Sequence, residues 1–234
     1  MTSIDKLNII HAATGVLRSL WQERHRIWVN PPNADGLLPI PVDKIARDLL
    51  GLSLEEPEEI LFAHSEDKYE VAGFLDRGER RIVVAQKFRP EWRRFTLAHE
   101  VAHWILHPKI THHRDRPLTG GERANQTRPH DEQEADVFAS ELLMPEKALR
   151  RKFTAAFGSP FDGREPDSTA AFWLSAGSNR HVNEIQLSAD LRYRAMIIAQ
   201  TASFAGRHFT PLSTVFGVSP TALAIQLEDL GLVI

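Results

Sequence analysis

The stretch FTLAHEVAHWILH, residues 95–107, sets three histidines four residues apart. On a helix, His99 and His103 stand one turn apart on the same face. At that spacing both imidazoles can reach one ion at the nitrogen–zinc distance of about 2.0–2.1 Å. Glu100 follows the first of them, completing the H-E-x-x-H pattern of metallopeptidases. There a glutamate lies beside the open position of the metal and can take a proton from water. Chance alone would place this pattern in roughly one chain in thirty of this composition, so its surroundings must support it. Leu97, Ala98, Val101 and Ile105 form one apolar face, and His99 and His103 project with Thr96 from nearly the opposite one. Trp92 and Trp104 flank that second face. His107 lies about 12 Å along the axis from His99 at 1.5 Å per residue, out of reach of the same ion. No glycine turn precedes it to fold it back. It reads as a residue of the helix end, interacting with the dipole or the last carbonyls.

A catalytic zinc usually has three protein ligands and a water, so a third ligand must follow. His112, His113, Glu122, His130, Asp131, Glu132 and Glu134 are available. Helix phase separates the acidic ones. In DEQEADVFASELL the inward face is set by Ala135, Phe138, Ala139, Leu142 and Leu143. At 100° per residue Glu132 falls within about 40° of its centre and Glu134 about 120° away. Glu132 is therefore expected to point inward and Glu134 outward. Asp136, one turn after Glu132, shares its side and could accept the other N–H of a ligating histidine. Asp131 is the runner-up ligand, but it sits better as the N-cap. His112, His113 and His130 fall in a polar loop, where a histidine is ordinarily solvated.

The wider sequence limits the chemistry. At 234 residues the chain can bury a full core. A net charge of −3 gives no sign of a nucleic-acid or membrane partner. There is no cysteine, which excludes disulfides and thiolate metal sites, so imidazole and carboxylate must hold any zinc. The lack of cysteine fits a cytoplasmic address. The opening MTSIDKLNIIHAATGVLRSLW does not read as a signal peptide, and no apolar run approaches membrane-spanning length.

The elements that must position the histidines follow from pattern. Residues 4–28 carry a helical apolar spacing, and NPPNADGLLPIP breaks it. VDKIARDLLG is a short amphipathic helix, with Asp43 near its start and Gly51 at its end. EVAGFLDRGERRIVVA reads as a hairpin turning at 76–78. PEWRRFTLAHEVAHWILHP is the histidine helix between Pro90 and Pro108, and 108–130 is a long polar loop. Two helices meeting at Pro145, a break at 159–168, and a helix near 187–203 come next. The tail holds two short helices joined at 217–220, with Ser219 as N-cap and Pro220 at N1.

RFTLAHEVAHWILHP followed by EQEADVFASELLMP resembles the ImmA/IrrE metallopeptidases of bacteria. IPVDKIARDLLGL and GFLDRGERRIVV extend the likeness upstream, and VFGVSPTALAIQLEDLGLV is similar to the family's helix-turn-helix-like end. It covers residues about 40–150 and, less closely, 211–234; 1–30 and 155–205 lie outside it. The resemblance implies an α+β, zincin-like domain: a small twisted sheet and an H-E-x-x-H helix. The domain is expected over 1–153, followed by a helical region over 154–234. It also implies a gluzincin-like zinc set of His99, His103 and Glu132, with Glu100 as the catalytic glutamate. The substrate it implies is a partner helix-turn-helix repressor of the XRE type, whose loss de-represses stress, phage or mobile-element genes. Tyr193, His181 and His208 are weak candidates for stabilising an oxyanion.

Two rival readings use the same residues. One is a non-catalytic zincin-fold regulator or antitoxin-like binding module, and the intact His99, Glu100, His103 and Glu132 favour an enzyme over it. The other is a purely structural zinc site, which four ligands would close. From Thr210 to the end there is no lysine or arginine, while Glu228 and Asp229 are acidic. Recognition helices normally bring Arg or Lys to phosphates and base edges, so the tail is expected to pack or to grip a protein rather than bind DNA.

Overall fold

The computed structural model describes residues 3–33, 35–60, 71–109, 112–115, 129–158, 172, 174 and 190–234. The chain forms two compact units, Met1–Leu143 and Met144–Ile234. This division precedes the 153/154 boundary expected from sequence.

The first unit opens with α1 (Ser3–Gln22), which buries Ile9, Ala13 and Leu20. The single helix expected over 4–28 is interrupted at Glu23, and α2 (Arg24–Ile27) follows. The Arg24 guanidinium donates to the Trp21 carbonyl at 2.7 Å and sits 4.0 Å from the centre of the Trp21 ring. Next comes α3, helical over Val42–Lys44 and continuing as a π-helical turn over Ile45–Leu49. Gly51 leaves it with φ +66°, the left-handed conformation that glycine adopts without steric cost.

The sheet consists of β1 (Ser53–Glu55), β2 (Gly73–Asp76), β3 (Arg81–Val84) and β4 (His112–Asp115), in the order β1-β3-β2-β4. β1 runs parallel to β3, and the β2 pairings with β3 and β4 are antiparallel. The β2–β3 hairpin is the one predicted, with Leu75 opposite Ile82 and both fully buried. β4 replaces part of the loop expected over 108–130. Its sequence HHRD carries no apolar alternation, because main-chain bonds to β2 define the strand and an outer strand tolerates polar side chains.

Two helices complete the unit: α4 (Pro90–Leu106) and α5 (His130–Leu143). Pro90 starts α4, where a missing N–H costs nothing. Every residue from Thr96 to His103 is buried, so both faces of α4 are covered, as a helix seated between a sheet and another helix requires. α4 packs on β2, β3 and α5, and α1 lies along α5. Arg94 donates to the Ile40 carbonyl at 2.8 Å, and burial pushes its pKa down.

Gly73 sets how closely β2 approaches α4. A Cβ there would stand 2.5 Å from Thr96 Cγ2 and 3.1 Å from the Val83 carbonyl oxygen. Thr96 is β-branched with few rotamers, so it cannot swing aside freely. Gly73→Ala is expected to cost about 1–3 kcal/mol through overpacking, seen as a lower denaturant midpoint at unchanged m. An unchanged midpoint would mean that strand and helix separate there without cost.

The second unit contains α6 (Glu146–Phe157), α7 (Leu191–Gln200), the hairpin β5 (Ser203–Phe204) and β6 (Arg207–His208), α8 (Leu212–Phe216) and α9 (Pro220–Asp229). The α6 aromatics fix its membership, since Phe157 meets Phe204 and Phe209 at 5.3 and 5.4 Å between ring centres. Ala205 and Gly206 both have positive φ, 49° and 75°, the signature of a type I′ turn. This hairpin was not read from sequence. The tail matches its reading: Gly217 is left-handed, Ser219 accepts from the Ala222 N–H at 3.1 Å, and Pro220 opens α9. No helix among the described residues is long and apolar enough to cross a membrane.

Candidate metal centre

α4 and α5 bring the predicted ligands together. His99 and His103 are buried, and their Nε2 atoms lie 3.1 Å apart. Glu132, in the first turn of α5, reaches them with Oε2 3.4 Å from His99 Nε2 and Oε1 3.7 Å from His103 Nε2. Three ligand atoms on a tetrahedral zinc, at about 2.0–2.1 Å each, would be separated by roughly 3.3 Å. The observed separations bracket that value, and nitrogen, nitrogen and carboxylate oxygen suit zinc, so the residues fit the ion. Among the described residues this is the only set of three such side chains whose ligand atoms lie within 4.8 Å of one another.

Glu100 is fully buried on α4, between the two histidines in sequence and beside Gly73. Asp136 meets His99 from the far side, with Oδ1 3.0 Å from Nδ1. Glu132 and Asp136 thus both stand on the side of α5 that meets His99. Asp131 is not the N-cap: α5 begins at His130, so Asp131 lies inside the first turn, two positions past the cap, and accepts from the Glu132 N–H at 3.1 Å.

His107 and Glu134 differ from their sequence reading. His107 does end α4, its N–H bonded to the His103 carbonyl at 3.1 Å. Its ring, however, turns to His103, Nδ1 to Nδ1 at 2.9 Å, and its Nε2 lies 2.9 Å from Glu134 Oε2. Glu134 therefore does not point to solvent. At about 120° from the inward direction it stands on the flank of α5, from which a glutamate side chain can still reach α4. The carbonyls assigned to His107 are served instead by Arg77 in the β2–β3 turn. Its guanidinium donates to the carbonyls of His103, Trp104 and His107 at 2.9, 3.1 and 3.2 Å and lies 4.4 Å from the Trp104 ring centre. A cation there complements the negative end of the helix dipole, and burial pushes the Arg77 pKa down. No sequence signal marked Arg77, because its partners lie 26 to 30 residues away.

Of the remaining candidates, His130 approaches Glu134, with Nδ1 3.3 Å from Oε1, rather than the ligand set. The His112 and His113 side chains, Glu122 and His181 lie outside the described residues. Tyr193 stands on α7 and His208 on β6, both in the second unit.

Residues 57–159 match the family model of the IrrE N-terminal-like domain, a peptidase family designated M78. This stretch is therefore similar to that peptidase family, and the match contains α4, α5 and every residue of the candidate centre. No curated protein matches the chain.

Proposed function

We propose that the chain is a zinc endopeptidase and that its substrate is a helix-turn-helix repressor of the XRE type. The observation that carries the catalytic part is the grouping of His99, His103 and Glu132 within 4.8 Å with a glutamate, Glu100, directly after the first ligand. Three protein ligands leave one tetrahedral position open, as a catalytic rather than a structural site requires. Bound there, zinc would polarise the scissile carbonyl and lower the pKa of water. Glu100 accepts the proton of the attacking water and returns it to the leaving amine. Its burial against β2 keeps bulk water from competing for the carboxylate. Asp136 holds the His99 ring so that Nε2 faces the ligand set.

The substrate assignment rests on the resemblance of RFTLAHEVAHWILHP and EQEADVFASELLMP to the ImmA/IrrE metallopeptidases. The tail bears on it by its lack of positive charge. Glu228 pairs with Arg192 of α7, and Leu223 and Leu227 are fully buried. Its role is packing or gripping a protein partner, not reading DNA. The test incubates the purified, zinc-loaded chain with the helix-turn-helix repressor encoded beside its gene, and repeats the comparison in cells under stress. Two repressor fragments are expected, lost on chelation and restored by zinc. An intact repressor in both settings would reject the substrate, and a repressor that is bound but never cut would mark a binding module.

A further inference from the structure

His103 presents both ring nitrogens to defined neighbours. Nε2 faces His99 and Glu132, and Nδ1 lies 2.9 Å from Nδ1 of His107. Two ring nitrogens at that separation share one proton, so one must donate and the other accept. A ligand offers its metal a lone pair, so for Nε2 of His103 to serve, the proton must sit on Nδ1. His107 Nδ1 is then the acceptor, which leaves Nε2 as the donor of the His107 ring. That Nε2 lies 2.9 Å from Glu134 Oε2, and an ionised carboxylate only accepts. The opposite assignment places the His107 proton on Nδ1 and sets the Nε2 lone pair against carboxylate oxygen. It also puts the His103 proton on Nε2, where the ligand set converges. Glu134 favours the first arrangement over the second.

We propose that Glu134 and His107 act as a positioning relay. Glu134 accepts from His107, His107 accepts from His103, and His103 is thereby fixed as the tautomer whose Nε2 lone pair faces the metal position. The other face of His99 meets a carboxylate of the same helix at close range, Asp136 Oδ1 standing 3.0 Å from Nδ1. Two carboxylates of α5 thus reach two histidines of α4, one by contact and one through an imidazole supplied by the next turn of the same helix. His130, at 3.3 Å from the other Glu134 oxygen, braces that carboxylate. Such outer partners hold the ring orientation of a ligand and raise its basicity.

The proposal rests on the metal site above, and its test separates the two. Zinc affinity is measured by chelator competition on the full chain as wild type, His107→Leu and His107→Asn. Asparagine places Oδ1 where Nδ1 stood and can still accept, whereas leucine cannot. The leucine variant should bind zinc about 10–100-fold more weakly, and asparagine should restore most of the loss. Nitrogen-resolved spectra of the zinc-loaded wild type should place the His107 proton on Nε2 and leave its Nδ1 bare, a readout that needs no variant to fold. If the His107 proton lies on Nδ1, or if leucine and asparagine lose zinc equally, the relay is rejected and His107 is only packing. Equal binding by wild type and leucine also rejects it. If wild type itself binds no zinc, the metal reading fails.

Discussion

Glu100→Gln should leave a folded, zinc-loaded protein whose cleavage of its substrate falls by about 10²–10⁴, the usual cost of losing a general base. The substitution keeps the volume and nearly the shape of the side chain. Glu100 is fully buried beside Gly73, so a near-isosteric amide is the least disruptive change at a site without spare room. The ligand atoms come from His99, His103 and Glu132, so metal content should not change. An amide cannot take the proton of the attacking water, so the chemical step should slow while substrate binding survives. The measurement is fragment formation at matched zinc occupancy. Cleavage within a few-fold of wild type would remove Glu100 from the proton path. If no fragment appears in either case, yet a reporter for the repressor is relieved equally by both, the protein acts by binding.

The parts of this site that were legible in sequence depend on helical periodicity. His99, His103, Glu132 and Asp136 lie on two regular helices, and a fixed 100° per residue carries the direction of each side chain from its number alone. The contacts that the reading missed depend on reach and on tertiary approach. Glu134 was assigned outward from its phase, but phase gives the direction of Cα–Cβ and not where a flexible carboxylate ends. His107 sits where α4 stops, and its ring leaves the pattern of the helix above it. Arg77 serves three carbonyls far along the chain, and Gly73 matters only because a helix lies against its strand; neither relation has a local signature. The sheet shows the same division. The β2–β3 hairpin has buried apolar pairs and a turn rich in glycine and charge, so it could be read, whereas β4 is held by its main chain and could not. In the second unit the Ser219–Pro220 cap was visible as residue types, while the Ala205–Gly206 turn was hidden because alanine seldom takes a positive φ.

The ligands themselves should separate most sharply by zinc content. His99→Ala and His103→Ala each delete a buried nitrogen that lies 3.1 Å from the other, and Glu132→Ala deletes the only carboxylate among the three. Each variant leaves two donors, too few for a site that needs three protein ligands, so purified protein should retain little of the expected one zinc per chain. Asp136→Asn keeps all three donors and should weaken the site by only about 10–100-fold. Glu134→Ala should behave like Asp136→Asn rather than like Glu132→Ala, since it touches His107 and not the ion position. A linked effect gives a second readout. Zinc free at 1,000 times its dissociation constant stabilises the native state by about 4.1 kcal/mol. Adding chelator should therefore lower the thermal midpoint of wild type and leave the three ligand variants unmoved. If Glu134→Ala loses zinc as completely as Glu132→Ala, the third ligand is misassigned. Full zinc in both histidine variants would place the metal elsewhere in the chain.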